Sequence, residues 1–237
     1  MRFVSCVDRV RASQSVVAQR PMITIGCAGF PVPATRYFPE FSFVEIQEAY
    51  VATPGMGSMR RWRREAGSNF DFSVVVPRNV MRNGLRDGAI VETELQAVTD
   101  VVRELRASTV VFLAPLEWEA NEANRDYVTS FLLGVRGRFS RVVWEAPLTW
   151  DCADATEVAT RAGAVAAYDP LVHGVAPGKL GYYRLPGPVG HKSRYEDVTM
   201  DTVVKAAQRA QHDEALYVFT NVDMMADAKR LKKFLIG

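Results

Sequence analysis

Eight short runs of β-branched and aromatic residues alternate with longer segments of helical periodicity, and this alternation constrains the fold more than any other feature. Several runs are almost continuously apolar, as expected for strands covered on both faces. The predicted strands are 23–27, 43–47, 70–76, 109–114, 141–146, 164–168, 180–185 and 216–220. A doubly wound open sheet normally has about five or six strands. Eight strands interleaved with helices in about 215 residues instead fit a (β/α)8 TIM-type barrel of the α/β class.

Between these strands the apolar period changes from two residues to about 3.6, which predicts amphipathic helices. The apolar stripes lie within 91–105, 127–135, 203–210 and 224–235. Tyr127, Phe131 and Val135 form the predicted inward face of the second of these helices, and Asp223 is placed to cap the last one. His212 lies in a polar helix end and is predicted to be exposed.

Residues 22–237 form one predicted domain, because no linker-like stretch or repeat interrupts the alternation. Residues 1–21 are basic and contain serine, but they lack the continuous apolar core of a secretion signal. We interpret them as a disordered leader or a mis-assigned start, with a weak likeness to a transit peptide as the alternative. The longest apolar runs have about seven residues, whereas a membrane span needs about twenty, so no membrane association is expected.

The charge of the predicted domain is close to balanced. The formal net charge of the chain is +2, but residues 1–21 carry +3, which leaves −1 for residues 22–237. This argues against a protein that binds polyanions over its whole surface. The three cysteines, Cys6, Cys27 and Cys152, have no C-x-x-C spacing and indicate neither a disulfide framework nor a cysteine zinc site. The expected location is the cytoplasm.

Polar residues, and one aromatic residue, recur where the predicted strands end. Parallel strands direct their carboxyl ends to one face of a barrel, and catalytic groups of such barrels lie there. The positions are Phe30 after the first strand, Glu45 and Gln47 on the second, Arg78 and Asn79 after the third, Glu145 at the fifth, Asp169 after the sixth, Arg184 at the seventh and Asn221 after the eighth. Ionisable residues in otherwise apolar strands indicate a ligand pocket at this face.

Nine short segments, in the correct order over most of residues 23–235, carry a family resemblance. IGCAGF (25–30) is similar to G-T-S-G-W, FVEIQEAY (43–50) to F-V-E-I-N-x-x-F-Y, and Trp62 with FDFSVVVPR (70–78) to W…F-x-F-x-V-K-x-P-R. The others are FLAP (112–115), VWEAPLTW (143–150), YDP (168–170), YYRLPG (182–187), Tyr195 and YVFTN (217–221). Together they resemble the signature of the domain-of-unknown-function 72 family, the YecE-like proteins. The resemblance implies a TIM-type barrel and supplies no established reaction.

The chain departs from that family pattern at three histidine positions. The T-H after P-R is replaced by VMR (80–82), E-F-R-H is reduced to EAP (145–147), and R-L-H-G becomes RLPG (184–187). If those imidazoles are catalytic or bind metal in other members, this chain cannot perform the same chemistry in the same way. The resemblance is therefore that of a divergent member, and a barrel that has lost catalysis and acts as a binding module is one alternative.

Glu45 and Glu145 are the candidate catalytic residues. Two carboxylates that face each other in a partly desolvated cleft can differ in pKa and act as general acid and base, as in hydrolases of glycosides. The structural alternative is that each glutamate forms a buried ion pair with Arg78 or Arg184. Both interpretations remain open from the sequence.

Arg184 and the loop GPVGHKSRY (187–195) are the candidate anion site. Phosphate sites of such barrels often use the loops after strands seven and eight, and an arginine binds an oxyanion in a fork. Arg78 and Arg184 are the predicted anion clamps, and Phe30, Asp169, Tyr195 and Asn221 are predicted to shape the pocket. A surface loop is the plainer interpretation of residues 187–195.

Arginines surround Trp62 in the segment RRWRR (60–64), and Arg78, Arg82 and Arg86 follow. Basic residues beside an aromatic can follow a phosphate backbone and stack a base. A solvated helix face with Trp62 turned inward explains the same segment. Nucleic-acid binding or processing is therefore the alternative function.

No metal or cofactor is predicted, although oxygen atoms of Glu45, Glu145, Asp169 and Asn221 could supply a site for magnesium or manganese. His173, His191 and His212 are the three histidines, and none has metal-ligand spacing to another. The glycines of residues 25–30 are too few for a dinucleotide-binding loop. The leading hypothesis is a barrel with a pocket for a small anionic or polyhydroxylated ligand and carboxylate acid/base chemistry.

Overall fold

A computed structural model describes residues 21–50, 54–83 and 88–237, so the predicted leader lies outside the described residues except for Pro21. Eight parallel strands close into a barrel in chain order, with β1 paired to both β2 and β8. The strands are β1 Met22–Ala28, β2 Phe43–Ile46, β3 Asp71–Val75, β4 Thr109–Leu113, β5 Arg141–Glu145, β6 Val165–Tyr168, β7 Leu180–Leu185 and β8 Glu214–Phe219. The predicted barrel is confirmed, and every predicted strand overlaps an observed one.

Helices surround the barrel. They are α1 Ala34–Tyr37, α2 Met56–Glu65, α3 Arg78–Asn83, α4 Gly88–Leu105, α5 Glu122–Val135, α6 Cys152–Arg161, α7 Asp197–Arg209 and α8 Met224–Leu235, with short 3-10 turns at Glu48–Tyr50 and Arg136–Arg138. None of the helices in the described part of the chain is long and apolar enough to cross a membrane.

Alternate residues of each strand point into the barrel, because successive side chains of a strand lie on opposite faces. The interior cluster is small and consists of Ala28, Phe43, Val75, Val111, Val143, Tyr182, Leu216 and Val218. The other face of the strands packs against the helices in a much larger cluster that includes Trp144, Tyr183 and Phe219. This two-sided burial explains why the strands read as nearly continuous apolar runs.

The predicted helices are present, with two local corrections. Tyr127 was expected to face inward on α5, but it is 49% exposed, and the buried stripe is Val128, Leu132 and Val135. Because 3.6 residues make one turn, a shift of one position moves the apolar face by about 100°. Asp223 does occupy the N-cap position of α8, but its side chain makes no capping hydrogen bond and pairs with Arg194 instead.

His212 is a further correction, because it is buried and not exposed. Its Nδ1 lies 2.8 Å from the carbonyl oxygen of Gly178, and its Nε2 lies 2.8 Å from the hydroxyl of Tyr183. Gly181 leaves room for the ring, since a β-carbon there would lie 2.5 Å from Nε2. His212 is therefore a hydrogen-bonded core residue, although its neighbours in the sequence are polar.

Tyr37 connects the first two strands, which pair only over a short stretch. Its buried hydroxyl accepts a hydrogen bond from the backbone N–H of Cys27 at 2.8 Å and donates one to the carbonyl of Phe43 at 2.9 Å. Both backbone groups are thereby satisfied inside the protein, where an unpaired group would be destabilising. The contact fixes the start of β2, which carries Glu45 into the barrel.

Candidate functional site

The β4–β7 pocket is a cavity of about 330 Å³ at the carboxyl ends of strands β4, β5, β6 and β7. Its polar lining comes from Glu145, Asp169, His173 and Arg184, with Cys152 and Tyr168 beside them. A volume of this size suits a small ligand. Its position at the carboxyl ends of the strands is where active sites of such barrels lie.

Arg184 joins the two predicted catalytic glutamates in one ion-paired chain. Its Nη2 and Nε donate to Oε1 of Glu45 at 2.9 and 3.2 Å, and its Nη1 donates to Oε2 of Glu145. The Glu45 side chain is completely buried and that of Arg184 is 8% exposed, whereas the Glu145 side chain is 34% exposed. The structure therefore brings these three predicted residues together, in the ion-paired arrangement that was the structural alternative to a catalytic pair.

Tyr182 extends this chain toward the middle of the barrel. Its hydroxyl donates to Oε2 of Glu45 at 2.8 Å and lies 3.0 Å from the hydroxyl of Ser73. Burial, together with the negative charge of Glu45, raises the pKa of Tyr182 well above its ordinary value. Burial lowers the pKa of Arg184, but the charges of Glu145 and Glu45 outweigh it, so the net shift is upward and the guanidinium stays charged.

Asp169 is the second carboxylate of the pocket and differs from Glu145 in its surroundings. Its side chain accepts a hydrogen bond from the N–H of Leu171 at 2.9 Å, and its own N–H donates to Nδ1 of His173 at 3.0 Å. Burial raises the pKa of Asp169; the Leu171 hydrogen bond and the nearby His173 oppose the rise, and the charge of Glu145 adds to it. The two pocket carboxylates thus meet different electrostatic conditions, as an acid–base pair requires.

The balance of charge in the β4–β7 pocket is negative. Among the described residues its lining has two carboxylates, those of Glu145 and Asp169, and one guanidinium, that of Arg184, which is already hydrogen-bonded to Glu145 and to the fully buried Glu45 outside the lining. An anionic ligand would meet two carboxylates near this guanidinium, so this geometry disfavours the predicted anion clamp.

Part of the pocket lining is apolar. Leu148 and Leu116 belong to it and are largely exposed, and Trp150 lies beside them. The Trp150 indole N–H donates to the carbonyl of Trp118 at 2.9 Å, and its ring stands edge-on to Trp144. Trp150 is therefore a fixed surface, whereas the two leucines sit at the mouth.

Two of the predicted pocket residues, Phe30 and Arg78, lie elsewhere. Arg78 is exposed at the start of α3 and does not line the β4–β7 pocket. The ring of Phe30 packs in an aromatic cluster, 5.1 Å from Trp62 and 5.4 Å from Tyr37. Neither residue contributes to this cavity.

Tyr195 and Asn221 hold the 187–195 loop against α8. The Tyr195 hydroxyl accepts from the N–H of Gly187 at 3.2 Å, and Asn221 Nδ2 donates to Oδ2 of Asp227 at 2.9 Å and to the carbonyl of Ser193 at 3.0 Å. Both side chains are buried. Asn221 Oδ1 has no hydrogen-bond partner within the described residues. These contacts give the two residues a structural role in this arrangement.

Within residues 21–50, 54–83 and 88–237, no three His, Cys, Asp or Glu side chains converge in a way that could hold a metal ion. At the pocket, Glu145 Oε2 accepts a hydrogen bond from Arg184, and His173 Nδ1 accepts one from the N–H of Asp169.

Tyr182, His173 and Cys152 are site residues that the sequence reasoning missed. Tyr182 precedes Arg184 by two positions, so the period of the strand puts both side chains on the same face. His173 lies one turn beyond Asp169, on the loop that follows β6. Cys152 opens α6 next to the pocket, a position that no short motif marks.

The closed parallel barrel, with its pocket at the carboxyl ends of the strands, defines a TIM-barrel protein. The profile of the family described as "Protein of unknown function DUF72" matches residues 34–236. The chain therefore belongs to the DUF72 family, which confirms the resemblance inferred from its motifs. No curated protein sequence matches the chain.

Solved structures share the fold of the chain. The chain is similar to a DUF72 family protein of Enterococcus faecalis V583, with 15% identity, a TM-score of 0.73 and coverage of 91% of this chain and 98% of that one. A DUF72 family protein of Thermotoga maritima MSB8 shows 16% identity, a TM-score of 0.71 and coverage of 91% and 100%. A D-allulose 3-epimerase from Methylomonas sp. shows 11% identity, a TM-score of 0.57 and coverage of 92% and 98%. Identities this low show the fold alone.

Proposed function

We propose that the β4–β7 pocket binds a small, neutral polyhydroxylated ligand and that Glu145 and Asp169 are its general base and general acid. The observation that carries the proposal is the presence of two carboxylates in one pocket with different surroundings. Glu145 lies against the guanidinium of Arg184, whereas burial raises the pKa of Asp169 and favours its protonated form. Such a pair can accept one proton and donate another, which suits hydrolase-like chemistry.

The charge and shape of the pocket favour a neutral ligand over an anion. Carboxylate oxygens and the remaining N–H groups of Arg184 offer hydrogen bonds to hydroxyl groups. Trp150 and Leu148 offer an apolar wall to the C–H face of a ring. An anion would be repelled by the excess of carboxylates. The anionic ligand expected from the sequence is therefore not part of this proposal.

Glu45 has a different role from the one predicted. Its side chain is fully buried and both of its oxygens accept hydrogen bonds, from Arg184 and from Tyr182. It cannot touch a ligand in this arrangement. We assign it as a positioning residue that holds Arg184, which in turn holds Glu145.

Binding is tested by calorimetric titration of the whole chain with a panel of neutral sugars and polyols and with the matching sugar phosphates. Glu145→Gln and Asp169→Asn are compared with Glu157→Gln, a control on the exposed face of α6. We expect a neutral compound to bind the wild type and Glu157→Gln, and binding to weaken in the two pocket variants. A preference for the phosphates that is lost in Glu145→Gln or Asp169→Asn, or equal binding by all variants, would contradict the proposal.

Turnover is tested separately, by following each bound compound for a reaction product. Loss of turnover in Glu145→Gln and Asp169→Asn, with folding intact, is the expected result. Binding that is never followed by turnover would remove the acid/base roles and leave a binding barrel, the alternative suggested by the missing family histidines.

A further inference from the structure

A groove of about 860 Å³ lies on the face of the barrel opposite the β4–β7 pocket, between the end of α2 and the end of α4. It includes Asp71, the first residue of β3, which places it at the amino ends of the strands. Its cationic lining consists of Arg60, Arg63, Arg64, Arg103 and Arg106. We call it the arginine groove. Its acidic lining residues are Asp71 and Glu104.

The positive charge of the arginine groove is only partly neutralised. Glu104 pairs with Arg60 at 3.2 Å. The Asp71 carboxylate accepts from the Ser108 hydroxyl at 2.5 Å and from the N–H of Phe72 at 2.7 Å, so its hydrogen bonds go to neutral groups. Among the described residues, no carboxylate lies within 4 Å of the guanidinium of Arg64 or Arg106. Arg63 likewise has no ion pair among the described residues, so three of the five arginines line the groove without one.

Arg63 and Arg106 form a like-charged pair in the arginine groove. Arg63 is fixed, because it donates to the carbonyls of Phe70 at 2.8 Å and Leu105 at 3.3 Å. Burial lowers the pKa of Arg63, the neighbouring charge of Arg106 lowers it further, and the charge of Asp71 opposes this shift without reversing it. The fold brings these two positive charges near each other, and a bound anion would offset their repulsion.

The backbone of Arg106 is a second, independent sign. Its φ is +53°, and it is the only non-glycine residue with a positive φ in the part of the chain that the structure describes. It follows the last residue of α4, and the N–H of Ala107 returns to the carbonyl of Val102 at 2.9 Å, as in a Schellman turn. Glycine is the usual residue at such a position. An arginine there keeps a charged side chain at the groove in spite of unfavourable backbone geometry, which points to a function of that side chain.

We propose that the arginine groove binds an oligophosphate anion through its guanidinium groups. Guanidinium forks match phosphate oxygens in geometry and charge. The groove lacks a stacking surface for bases: Trp62 packs against Phe30 and does not line it, and Phe70 is buried. Single-strand binding normally needs such aromatic platforms. The ligand is therefore recognised by its phosphates, and the nucleic acid expected as an alternative from the RRWRR segment is less well matched.

The test is calorimetric titration of the full chain with inorganic tripolyphosphate at low and high salt. Arg106→Gly is the diagnostic variant, because glycine adopts the positive φ without strain and the fold is expected to be at least as stable. Arg61→Gln is the matched control, since Arg61 lies on α2, pairs with Glu65 and does not line the groove. Arg64→Gln provides a second variant inside the groove.

We expect Arg106→Gly and Arg64→Gln each to weaken tripolyphosphate binding about tenfold, the effect of one lost charge-assisted contact. Arg61→Gln should bind as the wild type does, and high salt should weaken binding in all of them. Wild-type affinity in Arg106→Gly, or an equal loss in Arg61→Gln, would overturn the proposal. A single-stranded oligonucleotide that binds the groove more than tenfold more tightly than tripolyphosphate would replace it with nucleic-acid binding.

Discussion

Replacing Arg184 with methionine tests the ion-paired chain directly. The substitution removes both guanidinium hydrogen bonds to Glu45 and leaves its fully buried carboxylate with one donor, the hydroxyl of Tyr182. Removing one partner of a buried ion pair typically costs about 3–5 kcal/mol, because the remaining charge is buried without compensation. Glu145 adds little to this cost, since its side chain is one-third exposed and water can solvate it.

A loss of this size is a large part of the free energy of unfolding of a domain, which is about 5–15 kcal/mol. We therefore expect Arg184→Met to lower the urea midpoint strongly. Removing the buried charge as well should restore most of the stability: in Glu45→Gln/Arg184→Met the amide can still accept from Tyr182, and no buried ion remains. The double variant should lie within about 1–2 kcal/mol of the wild type, because paired replacement of a buried ion pair is often nearly neutral.

The assay is urea unfolding at pH 7, followed by tryptophan fluorescence, for the wild type, both single variants and the double variant. The coupling energy of the four-protein cycle isolates the pair from other effects of each substitution. A cost below about 1 kcal/mol for Arg184→Met would refute the reasoning. So would a double variant as unstable as Arg184→Met alone.

Three further predictions concern individual side chains. Because burial raises the folded-state pKa of Asp169 above its ordinary value of 3.8, the wild type should lose stability relative to Asp169→Asn as the pH rises from below 3.8 through the raised pKa; urea midpoints of both proteins from pH 3.5 to 7 measure the difference. Tyr37→Phe should cost about 1–3 kcal/mol in urea unfolding, because it leaves two buried backbone groups unpaired, and a neutral result would contradict the role of that hydroxyl. Burial raises the pKa of Cys27 to about 12, so iodoacetamide at pH 8 should modify the partly exposed Cys152 and spare Cys27 in the folded protein, as peptide mass spectrometry would show.

The barrel was predictable because the signals for strands and for amphipathic helices recur along the whole predicted domain. Each strand is a short apolar run set by burial on two faces, and each amphipathic helix has its own stripe, so an error at one position does not alter the result. The local errors have local causes. Tyr127 and Val128 are neighbouring apolar residues of α5, and the periodicity alone does not show that Val128 is the buried one. His212 looked exposed because its two hydrogen-bond partners, Gly178 and Tyr183, are distant in sequence.

The candidate site was predictable only as a set of positions. The carboxyl end of a strand can be read from the chain, and this brought Glu145, Asp169 and Arg184 to one pocket. Whether a side chain at a strand end turns into the barrel, as Glu45 does, or lies outside the pocket, as Arg78 does, depends on packing across the barrel. The pairing of Arg184 with two glutamates likewise joins residues that are distant in the sequence, 139 positions apart for Glu45 and 39 for Glu145.

The net charge of the chain is close to zero, but the fold separates an acidic region from a basic one. The β4–β7 pocket carries an excess of carboxylates at the carboxyl ends of the strands, whereas the arginine groove carries an excess of guanidinium groups at the amino ends. With the barrel core between them, and with charges screened over about 8–10 Å in physiological salt, the field of one site should have little effect at the other. The proposed exclusion of an anion from the pocket is therefore compatible with the proposed binding of an anion at the groove. If Arg106→Gly weakened the binding of a neutral ligand at the pocket as well as tripolyphosphate binding at the groove, the two sites would be coupled through the barrel, against this reasoning.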